Sequence, residues 1–156
     1  MTVTRRGQSG FTLPELLVFC LVVGLLLACA LKVAHLQNFT AQRHNAERWV
    51  AVAQQMQLLH KYVVAKGTLP DVITQERQAV GSEEGMADLC PYLVPEFTKD
   101  LLYDPFFGRL ETKGDCHDDG ALYTTGIAVI KTKDNTVTVS APGAELNQKI
   151  SLTRKF

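Results

Sequence analysis

The feature that most restricts this chain is an apolar run near its start. From Phe11 to Leu31 the sequence reads FTLPELLVFCLVVGLLLACAL, and Glu15 is the one carboxylate in it. A bilayer core is crossed by roughly 20 mostly apolar helical residues, and this run has that length. The segment before it, Met1 to Gly10, is polar and carries Arg5 and Arg6 with no acid. Such a basic flank stays on the cytoplasmic side, which places the C-terminus outside the cytoplasm. Downstream of the run the composition is that of one modest soluble domain. The whole chain has 16 basic and 16 acidic residues, so no net charge pulls it toward nucleic acid or an anionic surface.

The residues alone leave three readings of this N-terminus open. One is a secretory signal removed after its apolar core, although the run is long for that role and contains Glu15. Another is a lipoprotein signal at Leu26-Leu27-Ala28-Cys29, in which Leu27 is an unusual residue for its position. The third places a cut before the apolar run, so that the run stays in the mature chain.

Gly10-Phe11-Thr12-Leu13-Pro14-Glu15-Leu16-Leu17 resembles the class III signal of type IV prepilins and pseudopilins, Gly-Phe-Thr-Leu-x-Glu. The resemblance implies cleavage after Gly10 by a prepilin peptidase and N-methylation of the new first residue, Phe11. It also implies assembly through Phe11 and Glu15, the glutamate of an incoming subunit meeting the terminal amine of one already in the filament. The partners implied are other pilin subunits, an inner-membrane assembly platform and the membrane itself. A pilus subunit, a type II secretion pseudopilin and a competence-pilus subunit share this design. The reading from another class is a monomeric membrane-tethered or lipidated binding domain. A carboxylate inside an apolar span costs roughly 2.5–3.5 kcal/mol on insertion scales, so Glu15 needs either a partner or a route to water. Pro14 fits the first turn of a helix, where its missing N–H loses no intrahelical bond.

No Gly or Pro occurs between Lys32 and Lys66. Leu36, Phe39, Ala46, Trp49, Val50, Ala53, Met56, Leu59, Tyr62 and Val63 recur at steps of three and four, which predicts a helix with one apolar stripe. Gln37, Arg43, Glu47, Arg48, Gln54 and Lys61 are assigned to its polar face. Gly67 and Pro70 supply a stop. One helix from Phe11 to Lys66 would be roughly 80 Å long. His35, His44 and His60 do not have the spacing of a metal triad.

Beyond the helix, a short helix is expected around Thr74–Val80 and another over Met86–Tyr92, stopped near Pro95. Asp104-Pro105-Phe106-Phe107-Gly108 reads as a turn with apolar anchors, and it weakly resembles the Asp-Pro-Trp-Gly turn of secretion pseudopilins. Strands are predicted at Leu122–Thr132, Thr136–Ala141 and Gln148–Arg154, the first two joined by a Lys133-Asp134-Asn135 hairpin turn. The expected fold class is α+β. A long N-terminal helix, transmembrane in its first half and amphipathic in its second, packs on a small C-terminal antiparallel sheet. The segments are a leader over 1–10, a membrane and polymerisation helix over 11–31, its amphipathic continuation over 32–66 and an exported domain over 67–156.

Cys20 and Cys29 are nine residues apart on the apolar helix and read as small apolar fillers. Cys90 and Cys116 fall in the exported part, where a thiol pair points to a disulfide; two buried thiols is the alternative. Asp115, Asp118 and Asp119 beside Gly120 could offer oxygen ligands to Ca²⁺. The spacing is not that of an EF-hand, and a solvated acidic turn is the favoured reading, so no cofactor is expected. The sequence has no phosphate-binding Gly-rich loop, His-Glu-x-x-His or Gly-x-Ser-x-Gly, which argues against an enzyme. Lys131, Lys133, Lys149, Arg154 and Lys155 could line a basic edge for DNA phosphates. Loss of Arg5 and Arg6 with the leader leaves 14 basic against 16 acidic residues, a balance that does not favour DNA.

Overall fold

The computed structural model describes residues 12–110, 116 and 121–156. Helix α1 runs over Leu13–Lys66, and the chain divides into two units, Met1–Phe39 and Thr40–Phe156. In the first unit the side chains of α1 from Leu13 to Phe39 are all exposed. This helix is long and apolar enough to cross a membrane. At its start the Glu15 carboxylate accepts the Thr12 N–H, and its end is fixed by Gly67. There φ is +78° and the Gly67 N–H donates to the Val63 carbonyl at 2.8 Å, the left-handed closure that glycine adopts without a Cβ penalty.

The second unit is the α+β domain. Strands β1 (Gln78–Gly81), β2 (Arg109–Leu110), β3 (Tyr123–Lys131), β4 (Thr136–Ala141) and β5 (Ile150–Lys155) and the one-turn helix α2 (Cys90–Leu93) follow α1. The sheet is antiparallel with order β1-β3-β4-β5. Thr124 of β3 pairs with Gly81 of β1 and with Arg109 of β2, so the short β2 lies on the flank of β3 opposite β1. The Lys133–Asn135 turn closes the β3–β4 hairpin, with Asn135 at φ 60° and the Thr132 N–H on the Thr136 carbonyl at 2.8 Å. Val137, Val139 and Ile150 alternate inward along β4 and into β5, the period of two of a half-buried sheet. They meet Val52, Leu59, Leu89 and Leu93 in one core.

Four expectations fail in informative ways. The helix around Thr74–Val80 is a turn followed by β1. The Thr74 hydroxyl donates to Gln78 Oε1 at 2.9 Å and accepts the Glu76 N–H at 3.2 Å, a side-chain competition that favours turns over helix. Val80 is then buried in the sheet. The helix over Met86–Tyr92 is shifted to Cys90–Leu93, because Ala87 is drawn into a bridge with Val80 and Pro91 sits at the helix start. Among the described residues the sheet has five strands, not three: β1 and β2 are too short to show a period of two.

The fourth failure concerns the face of α1. Within the domain, Ala41, Asn45, Arg48, Val52, Gln55 and Leu59 point inward, at alternating steps of four and three. Trp49 and Val50, read as core, are exposed, and Arg48, read as solvent-facing, is fully buried. Met56 and Leu59 are buried as expected. The true stripe is rotated because three of its positions are polar.

Gln55 is fully buried, and among the described residues neither of its amide atoms has a hydrogen-bond partner. An unsatisfied buried polar group costs about 1–3 kcal/mol. Gln55→Met, which keeps the shape and removes both atoms, is therefore expected to raise the urea midpoint. A lowered midpoint would show that the amide has a partner in solution.

Candidate functional site

Two places on α1 concentrate polar chemistry. The first is its start. The Glu15 carboxylate accepts the Thr12 N–H at 3.0 Å and the Thr12 hydroxyl at 2.9 Å. Thr-x-x-Glu is the capping-box spacing, in which the glutamate reaches back to the first orphan donor of the helix. This local role of Glu15 was legible in Thr12-Leu13-Pro14-Glu15 and escaped the sequence reading. Gly10 and Phe11, the expected processing residues, lie outside the described residues, as do Asp115, His117, Asp118 and Asp119.

The second place is centred on Arg48. Its Nε donates to Asp104 Oδ2 at 2.6 Å and its Nη2 to Asp104 Oδ1 at 3.3 Å, a two-pronged contact between buried groups. Its Nη1 donates to Asn45 Oδ1 at 3.0 Å and to Glu145 Oε1 at 2.9 Å. Asn45 stands three residues before Arg48 on the same helical face. It binds the backbone of the loop after β4, its Nδ2 donating to the Glu145 carbonyl at 2.8 Å and its Oδ1 accepting the Glu145 N–H at 2.9 Å. His44 Nδ1 lies 3.0 Å from Glu145 Oε1.

Asp104 opens the Asp-Pro-Phe-Phe-Gly turn. Its Oδ1 accepts the N–H of Phe106 at 2.9 Å and of Phe107 at 3.0 Å, and its own N–H donates to the Thr125 carbonyl of β3 at 2.7 Å. Gly126 on β3 (φ +72°) makes room: a Cβ there would stand 2.6 Å from Asp104 Cβ. The turn exists as expected, but its anchor is the carboxylate. Phe106 is 72% exposed and Phe107 55%, with the Phe106 ring against His44 and Phe107.

Burial pushes the Asp104 carboxyl up, but the Arg48 guanidinium and the two backbone N–H groups outweigh it and hold it below its ordinary range. Burial likewise lowers Arg48, and its bonds to Asp104 and Glu145 reverse that and raise it. Glu145 is held low by Arg48 and then His44. The cluster acts as a clamp, fastening the 104–108 turn and the 142–149 loop to one face of α1.

The Cys90–Cys116 disulfide is present, with Cα atoms 6.1 Å apart, and its loop encloses the 104–108 turn. Cys20 and Cys29 are free and exposed on the apolar part of α1. His60 is near Arg154 and Phe156, away from His44 in the clamp. Of the basic residues proposed for a DNA edge, Lys131 ends β3, Lys133 is in the hairpin turn, and Lys149, Arg154 and Lys155 are on or beside β5. Comparison with protein-family models, with curated proteins and with solved structures gave no match to this chain.

Removing one member of a buried ion pair costs about 3–5 kcal/mol, so Arg48→Met is expected to lower the unfolding free energy by that order in a urea titration. The folded carboxyls of Asp104 and Glu145 are depressed, so the unfolded chain binds more protons than the folded one in acid. Their contribution is therefore complete above the unfolded carboxyl value of about 4 and is lost as pH falls through the lower folded values. Wild-type stability should drop across that window, and Arg48→Met should show a shallower slope. Parallel pH profiles would remove the clamp from the account.

Proposed function

We propose that this chain is a filament subunit of the type IV pilin and pseudopilin kind, made as a single-pass inner-membrane precursor and cut after Gly10. The observation that carries the reading is the placement of Gly10-Phe11-Thr12-Leu13-Pro14-Glu15 at the start of a helix whose apolar side chains over Leu13–Phe39 are exposed. Burying apolar surface is worth about 25 cal/mol per Å², so this segment demands either lipid or the same segment of other copies. Membrane insertion supplies the first environment and polymerisation the second. The exported domain then decorates an extracellular or periplasmic filament.

Glu15 has a further use in this reading. Among the described residues its carboxylate is committed only to Thr12, one turn away, through bonds it can exchange for the amine of a neighbouring Phe11. In an apolar filament core such an ion pair is strong and sets register between copies. The chemistry favours no enzyme: the clamped carboxylates serve Arg48 and backbone N–H groups. A lipidated tethered domain remains the rival reading, resting on Leu26-Leu27-Ala28-Cys29.

Glu15→Ala removes the carboxylate and leaves the apolar run intact. The expected outcome is normal precursor level in the membrane fraction with at least a tenfold loss of sheared filament, the size of about 1.4 kcal/mol or more per contact. Undiminished incorporation of the variant would rule out the pairing role.

A further inference from the structure

Two features of the Thr40–Phe156 unit serve neither the clamp nor the helix. One is an open groove of about 540 Å³ on the outer face of β4 and β5. Its polar lining includes Arg77, Thr138, Ser140, Lys149, Ser151 and Thr153, and no carboxylate. The Thr138 and Thr153 hydroxyls are 2.8 Å apart, and Arg77 Nη2 donates to Ser140 Oγ at 3.1 Å, which holds the guanidinium at the groove wall. Among the described residues neither Arg77 nor Lys149 takes part in an ion pair.

The other feature is the tip that follows β1. Glu83 and Glu84 are exposed side by side, and neither has an ion-pair partner among the described residues. The tip is ordered by its own bonds. The Met86 N–H closes it on the Glu83 carbonyl at 3.0 Å, the Ser82 N–H donates to the Tyr123 carbonyl at 3.0 Å, and Gln78 Nε2 donates to the Gly85 carbonyl at 3.3 Å. Gly85, at φ +84°, supplies the reversal. A segment fixed beforehand loses little entropy when it docks.

The tip follows the end of β1 at Gly81, whereas the groove runs from Arg77, just before β1, across β4 and β5 to Lys149. Two exposed acids and two bases, neither set ion-paired among the described residues, thus lie at separate places on one domain. We infer that the Arg77–Lys149 groove receives the Glu83–Glu84 tip of a second copy of this chain. The inference rests on the filament reading and adds to it a contact between exported domains. A head-to-tail contact between unlike surfaces continues from copy to copy and does not close on itself unless the rotation allows a ring. Exposed ion pairs are individually weak. Copies held together by their N-terminal helices meet at high effective concentration, which makes a weak contact count. Screening by salt should loosen it.

The test uses full-length chains from filament or membrane fractions, isotope-labelled and unlabelled in equal parts. A carbodiimide joins a carboxylate to an amine at ion-pair distance, with loss of water. Mass analysis should find Glu83 or Glu84 joined to Lys149 in peptides of mixed isotope. Arg77→Glu/Lys149→Glu leaves tip and groove both acidic and Glu83→Lys/Glu84→Lys leaves both basic, so each variant alone has no carboxylate–amine pair and should give no tip–groove cross-link between copies, with the Cys90–Cys116 bridge intact as the sign of a folded domain. Mixing the two reversed proteins, in which every tip again meets a groove of opposite sign, should restore it. Wild-type polymer without the cross-link, or a mixture that does not recover it, overturns the contact and leaves the filament reading standing. Absence of any sedimenting wild-type polymer overturns both.

Discussion

The Thr40–Phe156 domain depends on a charge placed where an apolar residue would be expected. Arg48 is enclosed by α1, the 104–108 turn and the loop after β4, and its guanidinium is held by Asp104, Asn45 and Glu145. Taking two charges out of water is costly, and the return comes only with good geometry and additional hydrogen bonds. Both conditions are met: Asp104 binds the guanidinium at two points and also accepts two backbone N–H groups. An apolar pair in the same space would pack without direction. The ion pair instead fixes which part of the 104–108 turn faces α1, and Thr125 and Gly126 of β3 complete the seat.

The same helix thus has two kinds of surface. Over Thr40–Lys66 one side is satisfied by its own domain through Arg48 and the core around Val52 and Leu59. Over Leu13–Phe39 its apolar side chains are exposed. The proposed filament resolves this difference: helices share one apolar environment while the domains meet through their polar faces. The disulfide lies in the domain part and spans the turn that Arg48 holds.

The long helix, its stop at Gly67, the last three strands and the Cys90–Cys116 pair were legible because each has a local cause. Val137 and Val139 alternate, Asn135 permits the turn, and no Gly or Pro interrupts Lys32–Lys66. What was not legible depends on partners distant in sequence. Asp104 makes Arg48 an inward residue across 56 positions, and Glu145 does the same for Asn45 across 100. A hydrophobicity count sees Asn45, Arg48 and Gln55 as solvent-facing and so turns the stripe toward Trp49 and Val50. Strand β1 formed where helix was expected because the Thr74 hydroxyl competes for the backbone and β3 offers an edge. At the helix start, the prepilin-like motif drew the eye to Glu15 as an assembly residue. Its capping bond to Thr12 is equally local and is written in the same four residues.

The central claim is that the chain is processed before its apolar segment and retains that segment. The N-terminal residue and intact mass of the protein taken from its native membrane or filament fraction test this most directly. The account predicts a chain that begins at Phe11 and is one methyl group heavier than its sequence. A chain beginning at a lipid-modified Cys29, or still beginning at Met1, would contradict it.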